Sequence, residues 1–196
     1  MIKVTRELLR GANSCYGAAR ENELILENGL SIREVAALDI PVRDKIWAIC
    51  YASNAPDNAL REFACWCARN ALNAERKAGR EPDPRSWAAV DIAERHARGE
   101  ASKAELDAAS GNAWKAYFAA YNAACYAAYV AACYASNAAS HAAYFAASDA
   151  ASDAARSAAY LASNAAAYYT ACDAPSDSAC SAIRRWQLKK LVDLLS

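Results

Sequence analysis

The chain carries two histidines and eight cysteines, the side chains best suited to nucleophilic, redox or metal chemistry. Their spacing argues against each of these. Cys65 and Cys67 flank Trp66; on a helix, residues two apart project about 200° from one another, so the two thiols cannot share an ion. Cys125 and Cys133 lie eight apart on one helical face, as do Cys172 and Cys180. A four-thiolate zinc site is geometrically conceivable there, but no Cys-x-x-Cys pair accompanies it, and no metal is expected. An even number of cysteines also allows disulfides. A chain of 196 residues can bury a core without them, and no basic start, apolar run and cleavage site is visible, so reduced, buried thiols are expected. His96 falls near a predicted helix end, where the dipole favours a cation. His141 stands beside Ser140 in an uncharged tract, with no carboxylate nearby to orient it. No phosphate loop, nucleophile elbow or zinc-protease motif occurs. The expectation is a non-catalytic protein without a cofactor.

Aromatic rings are the stronger lead. Tyr117, Tyr121, Tyr126, Tyr129, Tyr134 and Tyr144 stand among alanines. Tyr offers a flat stacking surface and one hydroxyl, and alanine leaves room beside it. A cleft floored by Ala and walled by Tyr suits a nucleobase or another planar ligand. Arg61, Lys115 and Arg156 are the candidate phosphate donors. The ligand-binding candidates are therefore Arg61, Lys115, Tyr117, Tyr121, His141, Tyr144 and Arg156. The competing expectation is that large Tyr and small Ala side chains interdigitate to fill a core.

These residues are positioned by helices. Ala is abundant and strand formers are sparse, which predicts an all-α fold, a multi-helix bundle with closely packed Ala-rich helices. A helix is predicted over 4–10, closed by Gly11. Ser31 and Glu34 have capping-box spacing and start a short helix through Leu38. Pro41 suits the first turn of the next, which carries Ile46, Trp47, Ile49 and Cys50. After a loop at 54–57, a helix to about Lys77 places Leu60, Phe63, Ala64, Cys67 and Ala71 on one face. Gly79 closes it. Asp83-Pro84 opens another, with Trp87, Val90 and Ala97 inward and Gly99 at its end. Ser102 and Glu105 form a second capping box.

Beyond residue 104 the composition changes. Ala fills 32 of the 71 positions of 104–174, enough to make helix the strong expectation. The pattern is a degenerate tetrad, two alanines followed by two variable residues. Each tetrad advances about 40° round a helix, so the alanine ridge wanders. One unbroken helix would be about 105 Å long; breaks are expected near 136–140 and 148–157. Residues 116–135 have the length of a membrane span, but Ala is nearly neutral and Leu and Ile are absent there, so no span is expected. A final amphipathic helix from about Ser178 presents Leu188, Leu191, Val192 and Leu195 on one face. The expected organisation is one helical domain, 1–196. It comprises an N-terminal lobe (1–80), Ala/Tyr-rich helices (83–174) and the C-terminal helix (176–196).

Three stretches carry a family resemblance. They are Leu60-Arg61-Glu62-Phe63-Ala64-Cys65-Trp66-Cys67-Ala68-Arg69, Asp83-Pro84-Arg85-Ser86-Trp87-Ala88-Ala89-Val90-Asp91-Ile92-Ala93-Glu94-Arg95, and Ala97-Arg98-Gly99-Glu100-Ala101-Ser102. An Ala-rich tract and Arg185-Trp186-Gln187-Leu188 follow. This order resembles the immunity-protein family of bacteria and their phages, the immunity-protein-five-like helical domain. The resemblance covers about 55–110 well and implies an all-helical protein acting in toxin or phage conflict, with no catalytic residues to carry over. The expanded Tyr- and Cys-bearing tract departs from the family pattern. The expected function is a binding protein that neutralises a protein toxin or immune effector. The alternative is a sponge that sequesters a small nucleotide-derived immune signal in a Tyr/Ala-lined pocket. The formal net charge of zero argues against a nucleic-acid polymer as partner. The expected location is the cytoplasm, that of the host if the gene is a phage's. Ala-rich helices also offer a route to homo-oligomers.

Overall fold

The computed structural model describes residues 1–126 and 177–196, except Asn13, Cys15, Leu26, Ala78 and Arg80. The expected all-α class is observed. Among the described residues there are eight helices and one two-strand pairing. The order is β1 (Lys3–Val4), α1 (Arg6–Gly11), α2 (Ala18–Leu24), β2 (Leu30–Ser31), α3 (Ile32–Ala37), α4 (Val42–Tyr51), α5 (Asp57–Lys77), α6 (Pro84–Ala97), α7 (Lys103–Tyr126) and α8 (Asp177–Leu195). The helix breaks expected near 136–140 and 148–157 lie outside the described residues.

The N-terminus departs from expectation. Val4 belongs to β1, not to a helix: Lys3 and Val4 pair antiparallel with Ser31 and Leu30, and Val4 also bridges to Ser53. A β-branched, fully buried residue fits an extended segment better than a helix end. The helix starts only at Arg6, where the Thr5 hydroxyl accepts from the Leu8 amide at 3.3 Å. The chain passes β2 through Gly29, whose φ of +71° demands glycine and whose missing Cβ would lie 2.7 Å from the Val4 carbonyl oxygen.

Both capping boxes form. Ser31 Oγ accepts from the Glu34 amide (3.3 Å) while Glu34 accepts from the Ser31 amide (2.7 Å). Ser102 and Glu105 do the same at 3.2 and 2.8 Å. Pro41 sits one position earlier than expected, as the N-cap of α4.

Helix α5 is the hub. It buries Leu60, Phe63, Ala64, Cys67 and Ala71, the stripe its spacing predicts, together with Leu72. It packs against α6 on one side and α8 on the other; α8 also covers α3 and α4, and α7 packs on α6. Leu188, Leu191 and Leu195 of α8 join the core as expected. The α6–α7 contact is made by small residues, with Ser86, Ala89 and Ala93 buried on α6 and Ala109, Ala113 and Ala116 on α7. Small side chains let two backbones approach closely. Ala97 is only half-buried, contrary to expectation. Trp87 turns inward as expected, half-buried against the core, and the guanidinium of Arg76 covers its ring at 4.3 Å from the centre. Cys50, Cys65 and Cys67 are buried and form no disulfide. Among the described residues no helix is long and apolar enough to cross a membrane.

Candidate functional site

The core stripe occupies only part of the circumference of α5. On another part, Asn58, Glu62, Trp66, Arg69, Asn70 and Asn73 recur at helical spacing and form a second stripe. The short connection at 78–83 folds α6 back beside α5. Gly79 takes a φ of +78° and Asp83 caps α6 by accepting from the Arg85 amide at 2.8 Å. Cross-links show the antiparallel register: Arg76 meets Trp87 and Arg69 meets Glu94 further along. Between the polar stripe of α5 and Glu94, Ala97 and Arg98 of α6 lies an open cleft of about 840 Å³.

Arg69 is the fixed point of this cleft. Its Nε and Nη2 donate to the two oxygens of Glu94 at 2.7 and 2.9 Å, and Nη2 also donates to Asp91 at 2.6 Å. The hydrogen bonds that it donates to Glu94, then the one to Asp91, raise the affinity of the guanidinium for its proton further. Arg98 at the rim is held by Glu100 through two bonds of 3.0 and 2.9 Å. That pairing lowers the Glu100 carboxyl below the usual carboxylate range. Asn70 donates to the Trp66 carbonyl at 2.7 Å, which fixes its amide on the wall of the cleft.

On the other side of α5, facing α8, is a smaller slot of about 240 Å³. Cys67, Ala71, Ala74 and Ile183 make it largely apolar, and Trp66 and Trp186 wall it. The two indoles are 4.1 Å apart, centre to centre, and tilted by 43°. Trp66 is thus common to slot and cleft, as are Asn70 and Asn73. Trp186 remains 48% exposed, well above what an apolar core residue retains.

Burial makes the nearby thiols unreactive. It pushes Cys65 up to about 12 and Cys67 well above its ordinary value, so neither supplies a thiolate near neutrality. His96 sits in the last turn of α6, with Nδ1 2.9 Å from the Ala101 carbonyl. Among the described residues no cluster of His, Cys, Asp and Glu could hold a metal ion.

The predicted ligand set is placed as follows. Arg61 is half-buried on α5 and does not line the cleft. Lys115 is exposed on α7 and does not line it either. Tyr117 and Tyr121 fall four residues apart within α7. His141, Tyr144 and Arg156 lie outside the described residues. The cleft residues, Arg69, Asn70, Asn73 and Arg98 above all, escaped the reading of the sequence. Their signal was present: one tryptophan in the middle of a polar stripe on a helix whose core stripe is already complete. No family model, curated protein or solved structure matches this chain, so the site is read from its own geometry.

Proposed function

We propose that the protein binds and neutralises a protein toxin or immune effector by direct contact, through the face of α5 around Trp66. One observation carries this reading: the Trp66–Trp186 pair, 4.1 Å apart, with Trp186 half-exposed at the mouth of an apolar slot. Trp and Arg are the residues that most often dominate the energy of protein interfaces. Here a tryptophan pair stands beside Arg69 and Arg98, whose side chains are already held in place by carboxylates. Such preorganisation reduces the entropy lost on binding. The resemblance of 55–110 to the immunity-protein family supports the same reading, and the cytoplasm is the expected place of action.

Retention of host proteins on the immobilised full chain tests it. We expect a specific protein to be captured, and capture to fall by about tenfold or more for Trp186→Ala, the loss of one interface anchor. Failure to retain any protein at any salt concentration would count against the reading. The second reading, sequestration of a nucleotide-derived signal, rests on the Tyr/Ala tract with Arg61, Lys115 and Arg156. Calorimetry with cyclic dinucleotides and ADP-ribose derivatives separates the two.

A further inference from the structure

We propose that the α5–α6 cleft binds a neutral polyhydroxylated small molecule the size of a mono- or disaccharide. This site goes beyond the protein contact proposed above, with which it shares Trp66, Arg69 and Arg98. The cleft volume of about 840 Å³ falls in the range of small-molecule sites, so what decides the class of ligand is the lining.

That lining is unusually rich in planar polar groups: the amides of Asn58, Asn70 and Asn73 and the carboxylates of Glu62 and Glu94. Asn58, Asn73 and Glu62 each present two polar atoms side by side, the arrangement that meets two neighbouring hydroxyls, whereas both Glu94 oxygens are taken by Arg69. A hydroxyl both donates and accepts, so a polyol can use this mixture of amide, carboxylate and guanidinium where a purely anionic or purely cationic ligand cannot. Asn70 spends its Nδ2 on the Trp66 carbonyl, which aims the amide and leaves Oδ1 as an acceptor. Arg69 spends Nε and Nη2 on Glu94 and Asp91, and Arg98 spends the same atoms on Glu100. Those bonds leave the Nη1 donors of both groups uncommitted. The indole of Trp66 adds an apolar wall for the C–H face of a ring.

Charge selects against phosphates. Two acids and two bases line the cleft, and each guanidinium already has a carboxylate within 2.9 Å. An anion would have to displace those carboxylates or lie beside them, at a cost in repulsion. A neutral ligand meets no such penalty, because it takes only the spare donors and acceptors.

The test is saturation-transfer NMR and calorimetry on the full chain with a panel of neutral mono- and disaccharides, and with inorganic phosphate and ADP-ribose as anionic probes. We expect at least one neutral saccharide to bind at about millimolar or tighter, with little dependence on salt. Asn58→Ala, at an exposed position, and Asn73→Ala, at a half-buried one, should each weaken that binding by about tenfold, whereas Lys77→Ala at the α8 slot should leave it unchanged. The proposal is overturned if no neutral saccharide binds, if only the anions bind with salt-dependent affinity, or if the two asparagine variants bind as the parent does while melting at the same temperature. Protein capture through Trp186 is read separately, so either proposal can fail while the other stands.

Discussion

The first 56 residues and the α5–α6 hairpin share one apolar core but differ in how their polar side chains are used. The N-terminal helices are six to ten residues long, too short to persist on their own. Individual polar groups pin them. Thr5 and Ser31 cap helices, and Arg6 donates to the Ile25 carbonyl at 2.8 Å. Lys45 donates to the Ala36 carbonyl at 2.9 Å, and the Tyr16 hydroxyl donates to Asp44 at 2.7 Å. The hairpin helices, of 21 and 14 residues, add longer apolar stripes to the same core that takes Val4, Leu9, Ile32, Val35, Ile46 and Ile49 from the N-terminal segment. The difference teaches where a binding site can be built. Near the N-terminus these polar side chains are consumed by the fold. On α5 a second stripe of Asn, Glu and Trp, beside the Arg69 that bridges to α6, remains for a ligand or partner.

Variants that damage one mechanism and spare the other test this contrast. The largest effect is expected for Phe63→Ala, at the fully buried centre of the α5 stripe. It should cost about 3–5 kcal/mol, read as the shift of a urea-unfolding curve. A loss below about 1 kcal/mol would mean that the hairpin is not held by its core.

Next comes Gly29→Ala. The added methyl would meet the Val4 carbonyl at 2.7 Å in a left-handed backbone. A loss of about 2 kcal/mol is expected from the strain together with the clash. If the variant melts with the parent, the β1–β2 pairing contributes little to stability.

Ser31→Ala should cost about 1 kcal/mol at neutral pH through loss of the cap. Its pH dependence has a definite sign. Hydrogen bonds from the Ser31 side chain and then its amide hold the Glu34 carboxyl below the ordinary range. The capping contribution is therefore present above the unfolded carboxylate value of about 4.3 and is lost as pH falls through the lowered folded value. The gap between parent and variant, measured by unfolding at both pH values, should narrow on acidification from pH 7 to about pH 3. A constant gap would show that Glu34 does not close the box.

The smallest effect belongs to the polar face of α5. Asn58→Ala, at an exposed position, should change stability by no more than about 0.5 kcal/mol, and Asn73→Ala, at a half-buried one, by no more than about 1 kcal/mol. A larger loss would mean that this stripe serves folding, and would remove the reason for reading it as a site.

Much of the architecture was legible in the order of residues, because short-range physics sets it. The two capping boxes, the Asp83-Pro84 helix start, the glycines after α5 and α6 and the five-residue apolar stripe of α5 are local patterns with local causes. Val4 was misread for a long-range reason: its partners, Leu30 and Ser53, are 26 and 49 positions away. Trp87 shows the same limit: its inward turn was legible, but only the α5–α6 register places Arg76 over the indole.

The sequence alone therefore determined that the chain is helical, where most of its described helices begin and end, and which side of α5 turns inward. Propensity, capping and periodicity act within a few turns and need no knowledge of neighbours. Tertiary structure decided that Trp66 meets Trp186 across 120 positions, and that Arg69 is gripped from α6 so that a cleft opens between them. Such encounters depend on how whole helices stack, which is settled by burial summed over the molecule and not by any local run of residues.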